Sequence, residues 1–179
     1  TMETRIRRLS ALSNLVGVVA AWMILPLTFS LGYEVFARYF FSAPTTWAFD
    51  TTVMLYGAYF MLGAAYTLAR DAHVRGDVFY RRFSPRTQAL IDLVLYLAVF
   101  FPAMYALTYA GWSYFWQSFL VRETSPFSPY GRPIYPLKFV IPLTAVLLAL
   151  QGVAQVLRCV VAVRTNRWPG EPLEHEVAA

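Results

Sequence analysis

LVLYLAVFFPAMYALTYAGWSYFWQSFLV, Leu93–Val121, runs without an Asp, Glu, Lys, Arg or His. A helix needs about 20 apolar residues to cross the hydrocarbon core of a bilayer, so this stretch spans it with length left for tilt. Pro102 inside it is expected to kink the helix, because the ring crowds the carbonyl one turn earlier and offers no N–H. Working outward, Leu9–Tyr33, Thr51–Ala69 and Phe139–Leu157 are equally free of ionisable side chains. Leu9–Tyr33 is too long for the apolar core of a secretory leader, and no small-residue cleavage site follows it promptly, so it reads as a retained span. The fold class expected is all-α: an integral membrane four-helix bundle over residues 1–165, with spans at about 9–35, 49–69, 86–121 and 137–163. The tail 166–179, carrying Pro169, Gly170, Glu171, Pro172, Glu174 and Glu176, is expected to be disordered.

Composition points the same way. Hydrophobic residues make up 58% and charged residues 14% of the chain, against about 45–50% and 25% in water-soluble domains; mean hydropathy is +0.48. The net charge of +5 does not indicate nucleic acid, because the basic residues sit in short segments between apolar runs and form no continuous phosphate-binding face. Their distribution orients the chain. Arg5, Arg7 and Arg8, then Arg70, Arg75, Arg81, Arg82 and Arg86, then Arg158, Arg164 and Arg167 fall on one side, and only Arg38, Arg122, Arg132 and Lys138 on the other. Positive residues stay inside, so both termini are expected to be cytoplasmic. Tyr33, Tyr39, Trp47, Trp112, Trp116, Tyr130 and Tyr135 gather toward the outer ends as an interfacial belt would, and Trp168 marks the inner interface. Ser84-Pro85 has the form of an N-cap and first helical residue, which starts the third helix there. Asp92, about two turns further in, is expected to take a hydrogen bond or ion pair near the inner surface. Small residues four apart, Gly17/Ala21, Gly63/Thr67, Ala106/Ala110 and Ala145/Ala149, are candidates for close helix packing.

Several chemistries are disfavoured. A transporting core needs polar or ionisable groups near the midplane, or broken helices exposing backbone. Here the ionisable groups sit at or beyond the span ends, and polar residues within, such as Thr28, Ser30, Thr67, Thr108 and Gln117, are scattered. The two histidines, His73 in a loop and His175 in the tail, are badly placed for haem, and the single Cys159 excludes an intramolecular disulfide or a multi-cysteine metal site. No cofactor or metal is expected, and no nucleophile–base pair or phosphate-cradling glycine loop supports an enzyme.

Three motifs remain. In the first, Glu34 and Arg38 lie four apart on one helix face and can pair, Pro44 redirects the chain, Trp47 follows, and Asp50 near the start of the second span could also reach Arg38. This is either a structural clasp between the first two spans or a partner interface. The second is a basic cytoplasmic loop with Arg70, His73, Arg75, Asp77, Arg81 and Arg82, where Val74 and Val78 can dip into the interface while the charges meet phospholipid headgroups. The third is the proline-stiffened outer loop with Arg122, Glu123, Tyr130, Arg132 and Tyr135, which is either a docking surface or an ordered connector.

Taken together, Glu34…Arg38-Tyr39…Phe41…Pro44…Trp47…Asp50, Arg70-Asp71…His73-Val74…Asp77, Glu123…Ser125 and Pro142 resemble the DctQ-like small membrane subunit of TRAP (tripartite ATP-independent periplasmic) transporters, from about Leu9 to Arg164. The stretch Met54–Tyr66 and the outer loop are most similar to the subgroup labelled mannitol/chloroaromatic. Asp50 stands where that family more often has Glu, Gly76 where it has Val or Ile, and Leu143 where Gly is common. The resemblance implies a non-transporting scaffold subunit in the bacterial inner membrane. It would brace a large multi-span subunit that carries solute and sodium sites and moves elevator-fashion. A periplasmic solute-binding protein would dock on the outer faces of both, and carboxylate-type solutes are implied. Two other classes stay open: a membrane anchor of a redox complex and a self-assembling four-helix channel.

Overall fold

A computed structural model describes residues 2–70, 80, 82–126 and 131–168. The architecture is all-α. Helices α1 (Met2–Trp22) and α2 (Ile24–Phe41) form the first rod and α3 (Thr46–Ala69) the second. Helix α4 (Pro85–Leu95), a π-helical turn (Tyr96–Phe100) and α5 (Phe101–Leu120) form the third, and α6 (Tyr135–Thr165) the fourth. All four rods are long and apolar enough to cross a membrane.

The interruptions trace to proline. The first rod breaks at Met23, just ahead of Pro26, whose ring crowds the carbonyl of residue 22; the chain continues through a bond from Leu27 N–H to Met23 C=O at 3.2 Å. In the third rod the expected effect of Pro102 takes the form of a π turn immediately before it. The N–H of Phe101 reaches back to the carbonyl of Tyr96, which absorbs the missing donor without ending the rod. Pro85 opens α4 behind Ser84, whose Oγ accepts the Thr87 N–H at 3.4 Å, as the dipeptide predicts.

The rods are not equivalent. Helix α6 packs against α1, α3, α4 and α5, whereas the α4–α5 rod makes its substantial contacts with α6 alone, and α2 leans mainly on α3. Small side chains permit the close crossings. A Cβ added to Gly17 of α1 would fall 2.3 Å from Tyr66 Cδ2, and one on Gly152 of α6 would fall 2.5 Å from Phe100 Cε1. At Gly111 of α5 it would stand 3.2 Å from the backbone nitrogen of Pro142, so α5 rides directly over the proline of α6. Ala145, Ala154 and Ala162 are fully buried along α6. Ala106 and Ala110, proposed as a packing pair, instead face outward, and Gly111 and Ser118 are the buried residues of α5. The chance spacing of two alanines carried no information about which face meets α6.

The core is also more polar than the apolar runs suggest. Ser13 Oγ donates to Gln151 Oε1 at 2.9 Å, and Gln155 Nε2 donates to the Leu68 carbonyl at 3.0 Å, tying α6 to α1 and α3. Both glutamines are buried. In a bilayer such groups must find protein partners, because the surrounding lipid offers none.

At the end formed by the two chain termini, Trp168 Nε1 donates to Gln88 Oε1 at 3.2 Å and the Arg86 N–H to Asn166 Oδ1 at 3.2 Å, which fastens the end of α6 to the start of α4. Asp92 takes the Tyr80 hydroxyl at 2.7 Å, the hydrogen bond expected of it.

Candidate functional site

The α2–α3 connection and the α5–α6 loop meet at the other end of the molecule, and the buried charged side chains of the described residues, Glu34, Asp50 and Lys138, collect there. A charge withdrawn from water needs a partner, and the two carboxylates are answered unequally.

Glu34 is the better satisfied. Its Oε1 accepts from Arg38 Nη2 at 2.5 Å and Nε at 3.1 Å. Its Oε2 accepts the Thr45 N–H at 2.9 Å and also the Thr45 hydroxyl. Arg38 therefore orients one oxygen along α2, while the other holds the first residues of the next rod; the turn between them passes through Ser42, at φ 49°. The clasp is thus Glu34–Arg38–Thr45. Asp50 does not pair with Arg38. It lies on a different face of the corner, where its Oδ1 accepts the Ser125 hydroxyl at 2.7 Å, across to the α5–α6 loop. Oδ2 of Asp50 is buried and has no hydrogen-bond partner among the described residues. Sequence spacing could suggest Arg38 as a partner because both residues flank the same turn. Ser125, far along the chain, gave no local signal.

The α5–α6 loop is itself folded. Thr124 and Pro133 form an isolated antiparallel bridge, the Ser125 N–H donates to Arg132 C=O at 2.7 Å, and the Ile134 N–H donates to Glu123 C=O at 3.1 Å. Gly131, at φ 52°, packs under Thr124 where a Cβ would come within 3.0 Å of the threonine Cβ. Glu123 forms an ion pair with Lys138. The hydrogen bond from the Lys138 ammonium lowers the pKa of Glu123 below the ordinary carboxylate range. The same ammonium sits 4.0 Å from the centre of the Tyr114 ring.

Arg132 reaches from this loop to α3: Nη1 donates to Thr51 Oγ1 at 3.3 Å, and the guanidinium stands 6.0 Å from the Trp47 ring, which packs on Tyr33 at 5.4 Å. Tyr135 lies edge-on to Phe119 at 5.5 Å, and Arg122 is an exposed residue at φ 48°. The loop thus ties the second, third and fourth rods together at one end. Its described residues present exposed cationic positions at Arg122 and Arg132.

Two of the basic-loop candidates are among the described residues. Arg70 stacks over the Tyr66 ring at 5.1 Å, and Arg82 is exposed. His73, Arg75, Asp77 and Arg81 fall outside the described residues, as do Tyr130 and the tail from Pro169. Among the described residues no group of three His, Cys, Asp or Glu side chains is placed to hold a metal. The arrangement orients charges, clamps a helix end and presents a cationic rim.

Ser13, Gln151 and Gln155 had no place in the sequence-based expectations, and Ser125 entered them only through the family resemblance, with no partner assigned. Gln151 and Gln155 were visible as two amides one turn apart in the fourth apolar run, a spacing that puts them on one helix face.

No individual curated protein matches this chain. A family model described as tripartite ATP-independent periplasmic transporters, DctQ component, matches residues 23–162, from the start of the second helix nearly to the end of the last. Four membrane-length helices, a clasp and a folded loop at one end therefore come with a family assignment that covers most of the chain: it belongs to the DctQ family, the small membrane component of TRAP transporters.

Proposed function

We propose that the chain is the non-transporting scaffold subunit of a sodium-driven, binding-protein-dependent uptake system for carboxylate-type solutes. Membership of the family implies the other parts of a tripartite transporter, a large membrane subunit and a solute-binding protein among them. On this reading the protein sits in the bacterial inner membrane with both termini cytoplasmic, so the clasp and the α5–α6 loop face the periplasm. Residues 1–165 form the membrane domain, and 166–179 the cytoplasmic tail.

The observation that carries the scaffold role is where charge is placed. Buried charged side chains of the described residues are confined to one end, and the polar contacts deeper in, Ser13 with Gln151 and Gln155 with Leu68, join helix to helix. A solute path would need such groups directed at a cavity. The large subunit then rests against the exposed apolar flanks, and the binding protein meets the loop bearing Arg122, Glu123, Arg132 and Tyr135. Phospholipid headgroups meet the basic segment from Arg70 to Arg82.

The test is Arg38→Ala. It leaves Glu34 without its cation and loosens the α2–α3 corner. The yield of complex with the large subunit falls severalfold, measured by co-purification from native membrane. Solute affinity of the complexes that do form stays unchanged. Normal assembly with lost solute affinity refutes the scaffold role and puts this corner in the solute path.

A further inference from the structure

At the clasped end, α3, α6 and α5 enclose a cleft of about 340 Å³. Its walls are apolar: Met54 and Gly57 of α3 and Leu137 of α6 are among them, with Tyr114 on the α5 side. Two charged residues line it, Lys138 and Asp50. Lys138 is already answered by Glu123 and the Tyr114 ring. Asp50 is not. It is 3% exposed, Ser125 satisfies Oδ1, and Oδ2 has no partner among the described residues. A buried carboxylate oxygen without a donor is costly, and Asp50 is one of the residues that line this cleft. One residue further along α3, Thr51 holds the exposed Arg132 guanidinium at 3.3 Å. Asp50 thus lines an apolar slot, and the next residue of α3 holds an exposed cation at the rim of the same helix end.

We propose that this cleft binds a zwitterionic phospholipid with a primary ammonium headgroup: the ammonium donates to Asp50, the phosphate meets Arg132, and an acyl chain lies along α3 and α6. The charges are complementary in order and sign, and the position at the helix ends is headgroup depth. A quaternary ammonium carries the same charge without an N–H, so it cannot supply the missing donor. An anionic glycerol headgroup brings the phosphate and neutral hydroxyl donors, but no cation for Asp50. The bound lipid would fill the slot that α3 and α5 leave over α6.

Native mass spectrometry of the full chain in mild detergent tests this. Phosphatidylethanolamine, phosphatidylcholine and phosphatidylglycerol with identical acyl chains are the probes. Wild-type protein retains the ethanolamine lipid about tenfold better than the choline lipid, the size of one charge-assisted hydrogen bond. Asp50→Asn brings the two to parity, and Asp50→Glu, which keeps the carboxylate, keeps the preference. Arg132→Gln weakens all three lipids alike, since each carries a phosphate. Equal retention of ethanolamine and choline lipids by wild-type protein overturns the proposal without any variant, so misfolding cannot shelter it. So does an Asp50→Asn protein that keeps the preference. Loss of the large subunit from Asp50→Asn complexes, with lipid preference intact, would show instead that Asp50 takes a basic side chain of a protein partner, and the lipid site would be withdrawn.

Discussion

The α4–α5 rod and α6 both qualify as apolar spans, yet none of the most apolar window of the former is buried within the protein, against 39% of the corresponding window of the latter. The difference lies in the residues between the large hydrophobics. Helix α6 interleaves Ala145, Gln151, Gly152, Ala154, Gln155, Cys159 and Ala162, and all of them are buried. The α5 helix buries only Gly111 and Ser118, and displays Tyr105, Tyr109, Trp112 and Trp116 outward. In lipid, burying a large apolar side chain between helices gains little over leaving it among acyl chains, so packing follows small and polar residues. Hydropathy identifies what crosses the membrane; the small and polar residues identify what lies at the centre of the protein.

The sharpest way to break this comparison uses neighbours on α5. Gly111 lies against the Pro142 backbone, whereas Ala110 faces outward. Gly111→Leu is expected to cost about 1–3 kcal/mol by overpacking the α5–α6 crossing. Ala110→Leu should stay within about 0.5 kcal/mol of wild type. Unfolding of each variant in detergent, followed by tryptophan fluorescence, separates the two. Equal costs would mean that the third rod has a second packing face, and its peripheral place would have to be given up.

A smaller effect sharpens the same contrast through amides. Gln151 is fully buried and accepts from Ser13, while Gln117 on the third rod is exposed. A double-mutant cycle with Ser13→Ala and Gln151→Leu should give a coupling of about 0.6 kcal/mol, the usual size for an interhelical hydrogen bond in a membrane protein. Gln117→Leu alone should be neutral. Zero coupling would show that α1 is held to α6 by shape, and that the amide contributes nothing.

The four spans were legible because their signal is compositional: long runs without charge admit few other readings. The helix start at Ser84-Pro85 was legible because an N-cap acts within one turn. The Glu34–Arg38 pair was legible because the i,i+4 spacing fixes which side chains meet. What spacing could not provide was contact between distant segments. Asp50 was set against Arg38, its near neighbour in sequence, when its hydrogen bond runs to Ser125 across the molecule. Ala106 and Ala110 satisfied the small-residue spacing and face away from α6, while Gly111, one residue on, makes the contact. Helical periodicity says which residues share a face. Which face is turned inward depends on a neighbour that periodicity does not describe.

The third and fourth rods are also tied by the part-exposed ion pair of Glu123, in the loop after the third rod, with Lys138 in the first turn of the fourth. Its contribution should show as pH dependence. The hydrogen bond from Lys138 holds the Glu123 carboxyl below its ordinary value of 4.5. A depressed folded-state pKa adds stability that is fully present above the unfolded value and is lost as pH falls through the folded one. Wild-type protein should therefore melt slightly higher than Glu123→Gln at neutral pH, and the gap should close as pH drops below about 4.5. The Glu123 side chain is 38% exposed, so added salt should narrow the gap at neutral pH as well. A gap that exceeded the cost of Gly111→Leu would reverse the ranking: the third rod would then be held to the fourth through its loop, and the close crossing at Pro142 would be secondary.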